Sequence, residues 1–90
     1  MLEIVLSNRF KKDLKLAAKR GYDLNLLDSI VEKLANRETL EEKYHDHALA
    51  GNYSGFRECH IEPNWLLVYK IDDNELILFL SRTGTHSDLF

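Results

Sequence analysis

The 90-residue sequence predicts an α+β fold of order β-α-α-β-β-β, in which a two-helix hairpin packs on one face of an antiparallel sheet. Two observations predict this class. Apolar residues recur at helical spacing in the first half, whereas the second half consists of aromatic and β-branched segments separated by turn residues. The length predicts a single domain, 1–90, and a composition of 44% hydrophobic and 30% charged residues is typical of a globular chain.

The first half predicts one strand and two helices. Glu3–Leu6 is short and partly β-branched, and Ser7 or Asn8 can cap the helix that follows. Gly21 can end this helix, since glycine enters the left-handed conformation without a Cβ clash. Asp23 can cap the second helix. The predicted core-facing positions of the two helices are Phe10, Leu14, Ala17, Leu27, Ile30, Val31 and Leu34.

The second half predicts an antiparallel meander after a polar, irregular segment at 37–52. Pro63-Asn64 and Asp72-Asp73-Asn74 provide the turn residues between its strands. The last eight residues, 83–90, are predicted to be a polar tail. The strands are predicted at Tyr53–Glu62, Trp65–Ile71 and Glu75–Arg82.

Charge and cysteine content narrow the class of protein. The net charge is −3, yet residues 1–20 carry six basic and two acidic groups, so a basic segment (+4) lies on an acidic protein. The one cysteine, Cys59, excludes an intramolecular disulfide framework and favours the cytoplasm. No apolar run exceeds five residues, which is too short to cross a membrane.

The histidines indicate where chemistry can occur. Strand alternation places Glu58 and His60 on one face, and pairing within the meander would bring His60, Arg82 and His86 together. Two imidazoles and a guanidinium suit cleavage of RNA. One imidazole removes a proton from the 2′-hydroxyl, the other protonates the leaving 5′-oxygen, and arginine stabilises the phosphate charge. Phe90 can stack on a base.

Plainer interpretations of these residues remain open at this point. A strand histidine is usually structural or simply exposed, an arginine at a strand end usually forms a surface ion pair, and an apolar chain terminus usually packs on the core. His45, Asp46 and His47 can form half of a metal site. Cys59 is more typical of a small core residue than of a nucleophile.

The sequence resembles the YafQ branch of the RelE/ParE superfamily, the toxins of bacterial type II toxin–antitoxin pairs. Three motifs carry the resemblance in the order of that family. They are Asp46-His47-Ala48-Leu49-Ala50-Gly51, Gly55-Phe56-Arg57-Glu58-Cys59-His60, and Arg82-Thr83-Gly84-Thr85-His86, and the segments Phe10–Lys15, Ile61–Lys70 and Ser87–Phe90 extend it over essentially the whole chain.

The resemblance implies a ribosome-dependent endoribonuclease that cuts mRNA in the A site without a metal or other cofactor. It implies His86 as one member of the acid–base pair and His60 or His47 as the other. Arg82 would stabilise the transition state, and Glu58 would orient a histidine. Phe90 would contact the substrate, and the basic first helix would contact the ribosome through Lys11, Lys12, Lys15, Lys19 and Arg20.

The resemblance also implies binding partners, and it shows one position at which this sequence differs from the family pattern. It implies a cognate antitoxin, often of the ribbon-helix-helix type, and a bacterial cytoplasmic location. Asn64 stands where relatives often carry an aspartate important for cutting, so Glu58 or Glu62 would substitute or the activity would be weaker. The alternative functions are a weakened toxin that acts by binding, a gyrase inhibitor of the ParE type, and a metal-dependent enzyme.

Overall fold

The computed structural model describes residues 1–90, and it confirms the predicted fold class. Two helices follow a first strand, and this strand and the later ones form one mostly antiparallel sheet. No helix is long and apolar enough to span a bilayer. The elements are β1 Glu3–Leu6, α1 Asn8–Lys19, α2 Leu24–Ala35, β2 His47–Ala48, β3 Arg57–Glu62, β4 Trp65–Asp72, β5 Ile77–Gly84 and α3 His86–Leu89, with 3₁₀ turns at Glu42–Tyr44 and Gly51–Tyr53.

The sheet has five strands in the order β1-β5-β4-β3-β2. The antiparallel pairings β2–β3, β3–β4 and β4–β5 build the predicted meander and add the two-residue strand β2 to its edge. Only β1 runs parallel to its neighbour, β5. The polar segment before the meander therefore contains a strand that its composition did not indicate.

Three boundaries differ from the sequence-based prediction. The strand predicted from Tyr53 begins at Arg57, because Gly51–Tyr53 form a 3₁₀ turn. The last strand begins at Ile77 and continues through Gly84. The predicted polar tail is instead strand followed by helix: Thr85 caps α3, and its side chain and that of Asp88 exchange hydrogen bonds with each other's backbone N–H groups.

Each face of the sheet carries its own apolar cluster. Trp65, Leu67 and Tyr69 on β4 belong to the large cluster that contains the buried side chains of α1 and α2. Leu66 and Val68, which alternate with them, form a smaller cluster with Leu89 of α3. One face of the sheet is therefore covered by α1 and α2. On the other face, called the open face below, only α3 and the segment that precedes β3 pack.

A β-bulge places Arg82 on the open face. Leu78 and Leu80 of β5 belong to the helix-side cluster, so strict alternation would put Arg82 beside them. The register shifts between Val68 and Tyr69, where Leu80 is opposite Tyr69 and Arg82 is opposite Val68. Because directly opposite residues share a face, the bulge moves Arg82 to the open face.

A buried hydroxyl holds the end of β5 against β4. Thr83 is 2% exposed; its Oγ1 accepts a hydrogen bond from Nε1–H of Trp65 (2.8 Å) and donates one to the carbonyl oxygen of Leu66 (2.7 Å). We expect Thr83→Val to destabilise the protein by about 1–3 kcal/mol, because valine leaves a buried indole N–H without an acceptor. Thr83→Ser, which keeps the hydroxyl, should cost less. Urea unfolding measures both, and equal losses would contradict the hydrogen-bond explanation.

Candidate active site

A buried carboxylate lies between two of the predicted catalytic histidines. Glu58 is 7% exposed, and its Oε1 lies 3.6 Å from Nε2 of His47 and 3.9 Å from Nε2 of His60. The register explains the cluster, because His47 on β2 is directly opposite Glu58 and His60 lies two residues further along the same face of β3. A buried carboxylate needs such partners to offset the cost of its desolvation. The Glu58 carboxylate therefore lies beside the Nε2 atoms of both imidazoles.

The opposite edges of the two rings contact backbone carbonyls. Nδ1 of His47 lies 2.7 Å from the carbonyl oxygen of His45, and Nδ1 of His60 lies 3.4 Å from that of Pro63. A carbonyl oxygen only accepts, so Nδ1 of His47 carries a hydrogen and donates it to the carbonyl oxygen of His45.

His60 and His86 line the same pocket. This pocket, of about 360 Å³, lies where the turn between β3 and β4 meets the start of α3. Asn64 lines it too, so its side-chain amide lies in the same space as the two histidines. His47 does not line this pocket. The complete lining is His60, Pro63, Asn64, Leu66, Thr85, His86 and Ser87.

Arg82 is held by a residue that the sequence did not indicate. Asp13 of α1 accepts hydrogen bonds from Nε (2.8 Å) and Nη2 (3.3 Å) of Arg82, and also from the backbone N–H of Thr83 (3.1 Å). The bidentate hydrogen bond with Asp13 raises the pKa of Arg82, so the guanidinium stays charged. The Nη1 atom of Arg82 makes no hydrogen bond with Asp13. Asp13 appears in the sequence as one acidic residue among lysines, with no pattern linking it to Arg82.

Three aromatic rings stand in a row beside α3. The ring of Phe90 lies 5.2 Å from that of His86 and 5.2 Å from that of Tyr53, the latter edge to face. Phe90 is 49% exposed and Tyr53 is 40% exposed, which is unusual for large apolar side chains that pack on a core. Tyr53 was predicted to start a strand, and its place next to Phe90 depends on the 3₁₀ turn that contains it.

The side chain of Asp46 is held by hydrogen bonds, and that of Cys59 is buried in the core. Asp46 accepts hydrogen bonds from the Tyr69 hydroxyl (2.6 Å) and from Nε of Arg57 (3.4 Å), so its carboxylate is directed at these groups. Cys59 is fully buried, and burial raises the pKa of its thiol to about 12, which disfavours the nucleophilic thiolate. No group of three His, Cys, Asp or Glu side chains is arranged to hold a metal ion.

The basic side chains of α1 differ in their surroundings. Lys11, Lys12, Lys15 and Lys19 are exposed. Arg9 and Lys12 line a shallow surface depression together with Asp13 and Arg82, which extends the positive surface of α1 toward the site. Arg20 instead pairs with Asp88 of α3. The predicted ribosome-binding roles of these residues stay predictions.

Comparisons with known proteins agree with this fold. Residues 2–90 match the family described as the bacterial toxin of type II toxin–antitoxin system, YafQ. The chain is 43% identical to the mRNA interferase toxin YafQ of Escherichia coli K12 over 89 residues, 98% of this chain and 95% of that protein.

Two solved structures are also similar. A metal-bound toxin from Helicobacter pylori has 51% identity and a TM-score of 0.95, with both chains fully covered. YafQ in the DinJ–YafQ complex of E. coli has 42% identity and a TM-score of 0.91, with 100% of this chain and 99% of that chain covered. The chain therefore belongs to the YafQ family of type II toxin–antitoxin toxins.

Proposed function

We propose that this toxin is an endoribonuclease that cuts mRNA in the ribosomal A site and so inhibits translation. The observation that carries the proposal is the pocket lined by both His60 and His86, with the Glu58 carboxylate beside His60. The name of the E. coli relative, an mRNA interferase, supports the same activity. The proposed reaction uses the 2′-hydroxyl of the RNA as its nucleophile, and none of its steps involves a metal.

The proposed reaction is an attack of the ribose 2′-oxygen on the adjacent phosphorus. The O2′–P bond forms and the P–O5′ bond breaks, leaving a 2′,3′-cyclic phosphate and a 5′-hydroxyl. One imidazole takes the 2′-hydroxyl proton and the other gives a proton to O5′. We assign the pair to His60 and His86, because they share the pocket, and place His47 with Glu58 in support of His60.

Arg82 is proposed to stabilise the negative charge that develops on the phosphate oxygens. The contacts to Asp13 orient the guanidinium through Nε and Nη2, which leaves Nη1 available to a phosphate. Such a preoriented donor does not need to reorganise during the reaction. Asp13 is therefore proposed as the positioning residue for Arg82.

Phe90 and Tyr53 are proposed to bind a base of the codon by stacking. We expect Phe90→Ala and Tyr53→Ala each to raise KM for mRNA on the ribosome by roughly tenfold, since stacking contributes about 1–3 kcal/mol per base. kcat should change much less, because neither ring transfers a proton. Leu76→Ala, which removes an exposed apolar side chain in the β4–β5 turn, is the control. A fall in kcat at constant KM would argue against a stacking role.

Ribosome and antitoxin are the proposed partners in the bacterial cytoplasm. Lys11, Lys12, Lys15 and Lys19 would contact rRNA phosphates, so binding should weaken steeply with salt. The E. coli DinJ–YafQ complex supports a cognate antitoxin for this chain, and we propose one of the ribbon-helix-helix type.

The proposal is tested by mapping cleavage of a defined mRNA on purified ribosomes. Cuts confined to the A-site codon are the expected result. Ribosome binding without cuts would point to a toxin weakened at Asn64, which lines the pocket as an amide where family members often carry a carboxylate. Absence of ribosome binding would overturn the proposal and leave gyrase as the target to test.

A further inference from the structure

The helix α3 carries His86 and ends beside Phe90, yet it has only four residues. A helix this short has little stability of its own, so its position depends on tertiary contacts. Leu89 supplies one such contact, since it packs in the small cluster with Leu66 and Val68 on the open face of the sheet. A single apolar side chain fixes the distance of a helix from the sheet more firmly than its rotation.

A bidentate ion pair supplies the second contact. Arg20, one residue beyond α1, places Nη1 at 2.6 Å from Oδ2 and Nη2 at 3.2 Å from Oδ1 of Asp88. The two residues are 68 positions apart in sequence, so the pair joins the end of α1 to the middle of α3. Two parallel hydrogen bonds define an orientation as well as a distance.

The same carboxylate also belongs to the cap of α3. Oδ2 of Asp88 accepts the backbone N–H of Thr85 (2.9 Å), and the Asp88 N–H donates to Oγ1 of Thr85 (3.1 Å). The hydrogen bond from Arg20, and next those from Thr85, hold the pKa of Asp88 well below its ordinary value of 3.8. A Cβ at position 84 would lie 3.0 Å from this Oδ2, so glycine leaves room for the carboxylate.

From these contacts we propose that Arg20 and Asp88 are a positioning pair, which orients α3 so that His86 and Phe90 face the substrate. The proposal rests on the nuclease function proposed above. It also gives Arg20 a different role from the lysines of α1: its guanidinium is directed at Asp88 rather than at ribosomal phosphates. An exposed ion pair usually contributes little to global stability. The expected effect of this pair is therefore on the geometry of the site, not on the fold.

The primary variant is Asp88→Asn, because the amide oxygen can keep the cap to Thr85 while the charge that binds Arg20 is lost. Misplacement of a catalytic group by about 1 Å can cost on the order of 100-fold, and we expect at least a tenfold loss of kcat on ribosome-bound mRNA. KM and ribosome affinity should stay close to the wild type. Asp73→Asn, which breaks the exposed Arg37–Asp73 ion pair (2.7 Å) far from α3, is the matched control.

Variants of Arg20 separate positioning from ribosome binding. Arg20→Gln should lower kcat as Asp88→Asn does, and the exchange Arg20→Asp/Asp88→Arg should recover part of the rate because it restores an ion pair. If Arg20 instead contacts rRNA, Arg20→Gln will weaken ribosome binding and reduce its salt dependence, Asp88→Asn will not, and the exchange variant will recover nothing. That pattern would overturn the proposal.

A readout independent of cleavage keeps this test distinct from that of the nuclease function. The Phe90 N–H donates to the carbonyl oxygen of His86 (2.9 Å), and the Leu89 N–H to that of Thr85 (3.2 Å). Loss of the pair should speed hydrogen exchange of these amides at least tenfold by NMR, with exchange in β4 unchanged. Faster exchange in a protein that cuts no mRNA would refute the nuclease function alone, while unchanged exchange and unchanged kcat would refute the positioning pair.

Discussion

His86→Ala should lower the rate of A-site mRNA cleavage by about 100-fold or more, since general acid–base catalysis typically contributes 10²–10⁴. His86 is exposed at the first turn of α3 and its imidazole makes no hydrogen bond within the protein, so the fold should survive. His86→Gln should be equally inactive, because an amide keeps polarity and much of the volume but cannot exchange a proton. Single-turnover cleavage on programmed ribosomes, with thermal unfolding as the check of folding, measures both variants.

His45→Asn is the matched control for the loss of a histidine near the site. The His45 side chain forms no ion pair with Glu58 and does not line the pocket shared by His60 and His86, although its ring lies 5.5 Å from that of His60. Asparagine tolerates the left-handed backbone at this position (φ +48°), and the carbonyl that accepts from His47 is retained. Cleavage by His86→Ala within a few-fold of this control would contradict the assignment of His86.

Arg82→Ala should have two separable effects. Loss of a preoriented donor to the phosphate should lower kcat by about 100-fold. Loss of the partner of Asp13, whose side chain is only 13% exposed, should also cost about 1–3 kcal/mol of unfolding free energy. Arg82→Lys should recover little of the lost kcat or of the lost stability, because an ammonium group cannot form the bidentate hydrogen bond to Asp13.

A double variant separates the two effects. Asp13→Asn with Arg82→Ala removes the unpaired charge, so urea unfolding should show regained stability while cleavage stays lost. Arg37→Ala, which breaks an exposed pair with Asp73, is the control and should change neither quantity appreciably. If the double variant regained cleavage along with stability, the loss in Arg82→Ala would be a folding defect and Arg82 would have no part in the reaction.

The sequence predicted the position of His60 relative to Glu58 but not that of His47. Alternation along β3 put Glu58 and His60 on one face, and the structure has them there. His47 could be linked to Glu58 only through the pairing of β2 with β3, and β2 is two residues long within a segment that lacks any strand pattern. Short edge strands are formed by their partners rather than by their own composition, so local periodicity misses them.

Local patterns in the sequence determined most of the fold: the two helices, the meander and the core-facing positions Phe10, Ala17, Leu27, Ile30 and Leu34. Each depends on neighbours within one or two turns or along one strand, where burial of one face imposes a period that can be read directly. The family resemblance added the residues that carry the chemistry.

Tertiary structure alone decided the geometry of the site. The β-bulge that moves Arg82 to the open face, the Asp13–Arg82 pair and the Arg20–Asp88 pair all join residues on different elements, and the two ion pairs span 69 and 68 positions. Tyr53 likewise reaches Phe90 only after the sheet has formed. Such contacts depend on strand register and helix packing, which no local period encodes, because the partner of each side chain lies on another element of the fold.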